Sequence, residues 1–138
     1  MSKFKNQLDP VFNKVISPHL GWMERMVPWW CDLILLRNRT LDSACGSAAD
    51  CDVDIEYRHG MITFYPTFLA DSPDRQKEYI RHELFHFEIA WIIEWSSLII
   101  KELRPDDKIM ANEFRVRTEQ VIQSLARKYN VSRKVPNC

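Results

Sequence analysis

Two histidines four residues apart, the first followed directly by a glutamate, make His82-Glu83-Leu84-Phe85-His86 the stretch of this chain best equipped for chemistry. On an α-helix each residue advances by about 100°, so His82 and His86 stack one turn apart on one face, where two imidazoles can grip a single zinc ion. Glu83 projects from the same side, offset by one residue, placed to reach a water held by the metal rather than the metal itself. The H-E-x-x-H pattern therefore predicts metal-assisted hydrolysis with Zn2+ as cofactor, and it requires a helix here. The competing interpretation is a pair of surface or packed histidines beside a salt-bridging glutamate.

The neighbours supply the helix. Ile80, Leu84, Phe87 and Trp91 fall roughly 140° to 200° around from His82, so an apolar stripe lies opposite the histidines. One side packs and the other binds. Upstream, Ser72 can cap, Pro73 suits the first turn and Asp74 complements the positive end of the helix dipole. These signals predict a helix from about residue 73 to at least 91.

A tetrahedral zinc site with an open position needs three protein ligands. No histidine follows His86, and Ile89 and Ile92 stand where the H-E-x-x-H-x-x-G-x-x-H pattern needs Gly and His, which excludes the metzincin arrangement. A third ligand downstream has to be a carboxylate. Glu88, Glu94 and Glu102 lie on the metal helix or its extension, where geometry is poor. Glu113 and Glu119 lie on the last helix, both roughly 115° to 125° from the centre of its apolar stripe but on opposite flanks, so periodicity leaves both open.

The scaffold is 138 residues, 16.4 kDa, with 46% hydrophobic residues: one domain, residues 1–138, large enough for a core without disulfides. Nineteen basic residues balance nineteen acidic ones, so no charge excess calls for nucleic acid or an anionic membrane. The N-terminus lacks the apolar core of a signal peptide, and the longest apolar run, 89–100, is interrupted by Glu94 and too short for a bilayer. A cytoplasmic protein is expected, with Cys31, Cys45, Cys51 and Cys138 as thiols. No C-x-x-C pair suggests a second metal site, and a Cys45–Cys51 bridge needs an oxidising setting.

In chain order, residues 1–30 read as helical: Leu8, Val11, Phe12, Val15 and Ile16 recur at helical spacing after Asp9-Pro10, and Ser17-Pro18 opens a second short helix that Pro28 stops. His19 reads as an exposed or capping residue. The sheet falls in 31–66. The apolar run 29–36 suits a covered strand, 37–50 a loop, and 52–58 alternates with Val53, Ile55 and Tyr57 facing in. Arg58-His59-Gly60 turns the chain into Met61-Ile62-Thr63-Phe64-Tyr65, giving an antiparallel hairpin. If that return strand is a sheet edge, an extended substrate can pair with it beside the metal; an interior strand cannot serve so. Residues 89–103 are apolar on so many sides that burial is expected. Asp106-Asp107 caps a last helix to about residue 129, burying Phe114, Val121, Ile122, Leu125 and Tyr129, and 130–138 reads as a loose tail. The class is α+β, with about three strands packed on the metal helix and a C-terminal helix bearing the glutamates.

The segments Ile62-Thr63-Phe64-Tyr65-Pro66, Ile80-Arg81-His82-Glu83-Leu84-Phe85-His86 and Glu119-Gln120-Val121-Ile122-Gln123-Ser124-Leu125-Ala126-Arg127 together resemble the small zincin-like metallopeptidases of phage and prophage genomes. That resemblance covers roughly residues 50–129. It implies a minimal zincin-like domain, His82, His86 and Glu119 as zinc ligands, Glu83 as catalytic acid and base, and a peptide or protein substrate in a bacterial cytoplasm. Asn112-Glu113 is similar to the third-ligand segment of thermolysin-like enzymes, which keeps Glu113 as the reserve ligand. More remotely, the order of sheet, metal helix and glutamate helix is similar to the ImmA and IrrE type of peptidase that acts on repressors. Tyr57, Tyr65 and Arg115 are the candidates for stabilising an oxyanion. The rival from another class is a zincin-fold binding or regulatory module, with structural metal or none.

Overall fold

Asp9 and Pro10 start the first helix as their types predict: the Asp9 carboxylate accepts from the Phe12 N–H and Pro10 takes the first helical position. The computed structural model describes residues 2–133, with side chains from 2 to 128. It contains β1 (Phe4–Asn6), α1 (Pro10–Ile16), a 3-10 turn (Ser17–His19), α2 (Leu20–Met26), β2 (Leu33–Asn38), β3 (Ala49–Asp54), β4 (His59–Phe64), α3 (Pro66–Ala70), α4 (Pro73–Leu103) and α5 (Lys108–Arg133). The class is α+β.

The sheet has four strands rather than three, in the order β1-β2-β4-β3. β1 lies inside the segment read as helical; three residues are too few to show an alternation, and the strand exists by pairing in parallel with β2, Phe4 opposite Ile34. A parallel pair needs a crossover, which α1 and α2 provide. β4 pairs with β2 in parallel and with β3 in antiparallel fashion, so Met61-Ile62-Thr63-Phe64 is interior and the edge strands among the described residues are β1 and β3. The hairpin turn comes earlier than expected, at 55–58, where Asp54 accepts from the Tyr57 N–H and Arg58 takes φ +62°. Tyr57 is therefore exposed at the turn instead of facing in, whereas Ile55 is buried.

One face of the sheet carries the core. Ile34, Leu36, Ile62 and Phe64 point into it, and Ile80, Leu84 and Phe87 of α4 close over them. Gly60 lets the two layers meet: a Cβ there would overlap the Phe87 ring, so the absence of a side chain sets how closely α4 lies on β4. Ser72 caps α4 as expected, its hydroxyl accepting from the Arg75 N–H.

α4 has 31 residues, about 46 Å at 1.5 Å per residue, and so outruns a sheet of three- to six-residue strands. Burial stops where the sheet stops. Trp91, Ile92, Trp95, Leu98 and Leu103 are exposed rather than buried, as are Ile109 and Met110 of α5. Trp91 thus leaves the stripe that Ile80, Leu84 and Phe87 begin. Among the described residues no helix is long and apolar enough to cross a membrane. Asp107 caps α5 by accepting from the Met110 N–H, and the helix continues to Arg133. The side chain of Tyr129, the end of the tail and Cys138 lie outside the described residues.

Candidate metal centre

α5 reaches the histidine face of α4 through a second apolar cluster. Phe85, Ile122 and Ala126 are buried against each other, with Ile89, Ile93 and Leu125 around them. Of the stripe Phe114, Val121, Ile122, Leu125 that the sequence suggests on α5, Ile122 is buried, Phe114 and Leu125 are partly buried and Val121 is exposed, so the buried face is rotated toward Ile122 and Ala126. That rotation brings Glu119, one turn before Ile122, over His82 and His86.

Three side chains face one another, with a different Glu119 oxygen turned toward each histidine. His82 Nε2 and His86 Nε2 are 3.3 Å apart, His82 Nε2 is 3.2 Å from Glu119 Oε2, and His86 Nε2 is 3.2 Å from Glu119 Oε1. Ligands about 2.0–2.1 Å from a tetrahedral zinc stand roughly 3.3 Å from each other, so this spacing fits the ion. The fit covers one face of a tetrahedron and leaves the fourth corner to a non-protein ligand. Without a cation, two imidazole nitrogens and a carboxylate facing one another would need protons between them.

The tautomer of His82 follows from its other nitrogen. Gln123 Oε1 is an acceptor only, so the His82 Nδ1 that contacts it must carry hydrogen, which leaves Nε2 as a lone pair aimed at His86 and Glu119. Gln123 is held in turn by donating from Nε2 to Glu78 Oε1. The Glu78 carboxylate is buried and also pairs with Arg75 and Arg127, both at 3.4 Å. Burial lowers the pKa of His86, Glu119 opposes that shift, and His82 adds to it. Net lowering favours the neutral, metal-binding form.

Glu83 turns inward to β3 at 7% exposure. Burial pushes its carboxyl up from 4.5 to about 8; a hydrogen bond from the Cys51 thiol opposes this, while Asp50 and Glu119 add to it. Cys51 Sγ, a Glu83 oxygen and a His86 ring nitrogen all lie within 4.8 Å of one another. Burial is also the main reason the Cys51 thiol is held above its usual range, with Glu83 reinforcing it. From this corner a groove of about 220 Å³ runs along β3, lined by Val53, Ile55, Ala90, Ile93 and Glu94 besides Cys51 and His86.

Of the residues singled out by sequence, His82, Glu83, His86 and Glu119 converge. Glu113 does not: six residues earlier on α5, it pairs with Arg117 at 2.8 Å on the exposed surface. Tyr65 donates to Asp50, Arg115 to Asn112, and Tyr57 stands in the exposed turn. His19 is partly buried and accepts from the Trp22 indole N–H. Cys31, Cys45 and Cys51 are free thiols. Sequence reasoning missed Cys51, Gln123 and Glu78, although signals existed. Cys51 shares the parity of Val53 and Ile55, Gln123 follows Glu119 by one turn, and Glu78 precedes His82 by one turn. No protein-family model, curated protein or solved structure matches the chain.

Proposed function

We propose that this protein is a zinc-dependent metallopeptidase of the small zincin-like kind, with His82, His86 and Glu119 as ligands and Glu83 as general base and acid. The observation that carries the reading is the meeting of His82, His86 and Glu119, with the two Nε2 atoms 3.3 Å apart and each 3.2 Å from a different Glu119 oxygen, beside a buried carboxyl. Bound zinc supplies Lewis acidity, lowering the pKa of water toward about 7 and polarising a carbonyl. Glu83 does the proton work. A carboxyl whose pKa lies near neutrality can take a proton from the attacking water and return it to the leaving amine. A nearby dication draws that pKa down toward the ionised form needed for the first step.

Substrate placement follows from the free edge of β3. Its unpaired N–H and C=O groups can hold an extended peptide, and the groove beyond Cys51 offers an apolar wall of Val53, Ile55, Ala90 and Ile93 for one side chain. We place the protein in a bacterial cytoplasm on the sequence resemblance alone. Digestion of a peptide library with and without a chelator tests the reading. Cleavage should vanish with chelator and in Glu83→Gln, while that variant keeps its zinc; equal cleavage by Glu83→Gln overturns the role of Glu83. A zincin-fold binding module is the second reading, favoured by the exposed apolar face of Trp91, Trp95 and Leu98. Full zinc occupancy without cleavage of any peptide selects it.

A further inference from the structure

Cys51 is a metal-ligating side chain at the centre that hydrolysis does not use. It lies on β3 opposite Ile62, so its side chain shares the sheet face that packs on α4. Two groups of donors meet there, His82 with His86 and Glu119, and Cys51 with Glu83 and His86, so His86 belongs to both. In a tetrahedral zinc site a sulfur at about 2.3 Å and a nitrogen at about 2.0–2.1 Å stand roughly 3.5 Å apart. The Cys51 sulfur lies within 4.8 Å of a His86 ring nitrogen. Bringing the sulfur to the ion takes a change of the Cys51 rotamer on a strand paired along one edge only. Thiolate is moreover the softest donor near the centre, and zinc accepts it readily.

Resting on the metallopeptidase reading, we propose that Cys51 is a reversible fourth zinc ligand, closing the centre in the resting protein by occupying the corner that hydrolysis needs open. The exchange balances without a further reactant. The thiol proton would pass to a hydroxide held at the fourth corner, which leaves as water while the sulfur takes its place on the zinc. Opening reverses each transfer. In the closed state the position for water is filled, so hydrolysis is off.

The test uses the full chain with Co2+ in place of zinc. The wild type should bind one cobalt per chain and show a thiolate-to-cobalt charge-transfer band in the near ultraviolet. Cys51→Ser should lose the band while keeping the cobalt, and Cys45→Ser should retain both. Zinc-edge X-ray absorption of the unaltered protein gives a check that needs no variant: one sulfur at about 2.3 Å. One bound metal with no band and no sulfur neighbour, or a band that survives in Cys51→Ser, overturns the inference and leaves the peptidase reading standing. A wild type that binds neither cobalt nor zinc overturns both.

Discussion

Replacing Glu83 by Gln should stabilise the metal-free protein, and by an amount that depends on pH. Glu83 is 7% exposed, and its carboxyl is pushed from 4.5 to about 8, chiefly by burial. Below about pH 4.5 the group is protonated in both folded and unfolded chains and contributes no penalty. As pH rises through the window from 4.5 to 8 the unfolded chain ionises while the folded one keeps its proton, so stability falls by about 1.4 kcal/mol per unit. At pH 7 the accumulated cost is about 3 kcal/mol, and above 8 the curve levels at about 5 kcal/mol. The neutral amide removes this term. Chemical denaturation in a chelator at pH 5, 6, 7 and 8 should show wild type and Glu83→Gln converging at the acid end, with the variant more stable by about 3 kcal/mol at pH 7, roughly 6–12 °C in Tm. Equal stability at pH 7 and 8 would refute the placement of a buried carboxyl against β3.

Gln123→Ala should weaken zinc binding by about 10- to 100-fold with little change in fold, since it releases the hydrogen bond that fixes the His82 tautomer; competition with a chromogenic chelator reads this. Gly60→Ala should cost about 1–3 kcal/mol in denaturant, because the added methyl overlaps the Phe87 ring. Ile122→Ala should cost about 2–5 kcal/mol and reduce zinc affinity too, as the cluster with Phe85 is what docks Glu119 on the histidines.

What could be read from the chain and what could not divide along a physical line. Local signals sufficed for α4: Ser72 and Pro73 fix its start, and Ile80, Leu84 and Phe87 fix the face it buries. The five-residue motif marked His82, Glu83 and His86 for the same reason, since one helical turn determines their geometry. Decisions taken between elements were not legible. Whether β4 is an edge depends on its pairing with both β2 and β3, and for β1 three residues at 4–6 give no pattern. The choice between Glu119 and Glu113 depends on which side of α5 meets α4, and Val121 beside Ile122 blurs the stripe by one residue. The apolar run after Ile89 suggested burial, yet burial requires a surface to cover it, and the sheet ends before α4 does.

Zinc content measured on the purified wild type beside Glu119→Ala and Glu113→Ala addresses the metal centre most directly. The account predicts one zinc per chain in the wild type, the same in Glu113→Ala, and a loss of most of it in Glu119→Ala after dialysis. A zinc-free wild type, or full retention in Glu119→Ala with loss in Glu113→Ala, would contradict it.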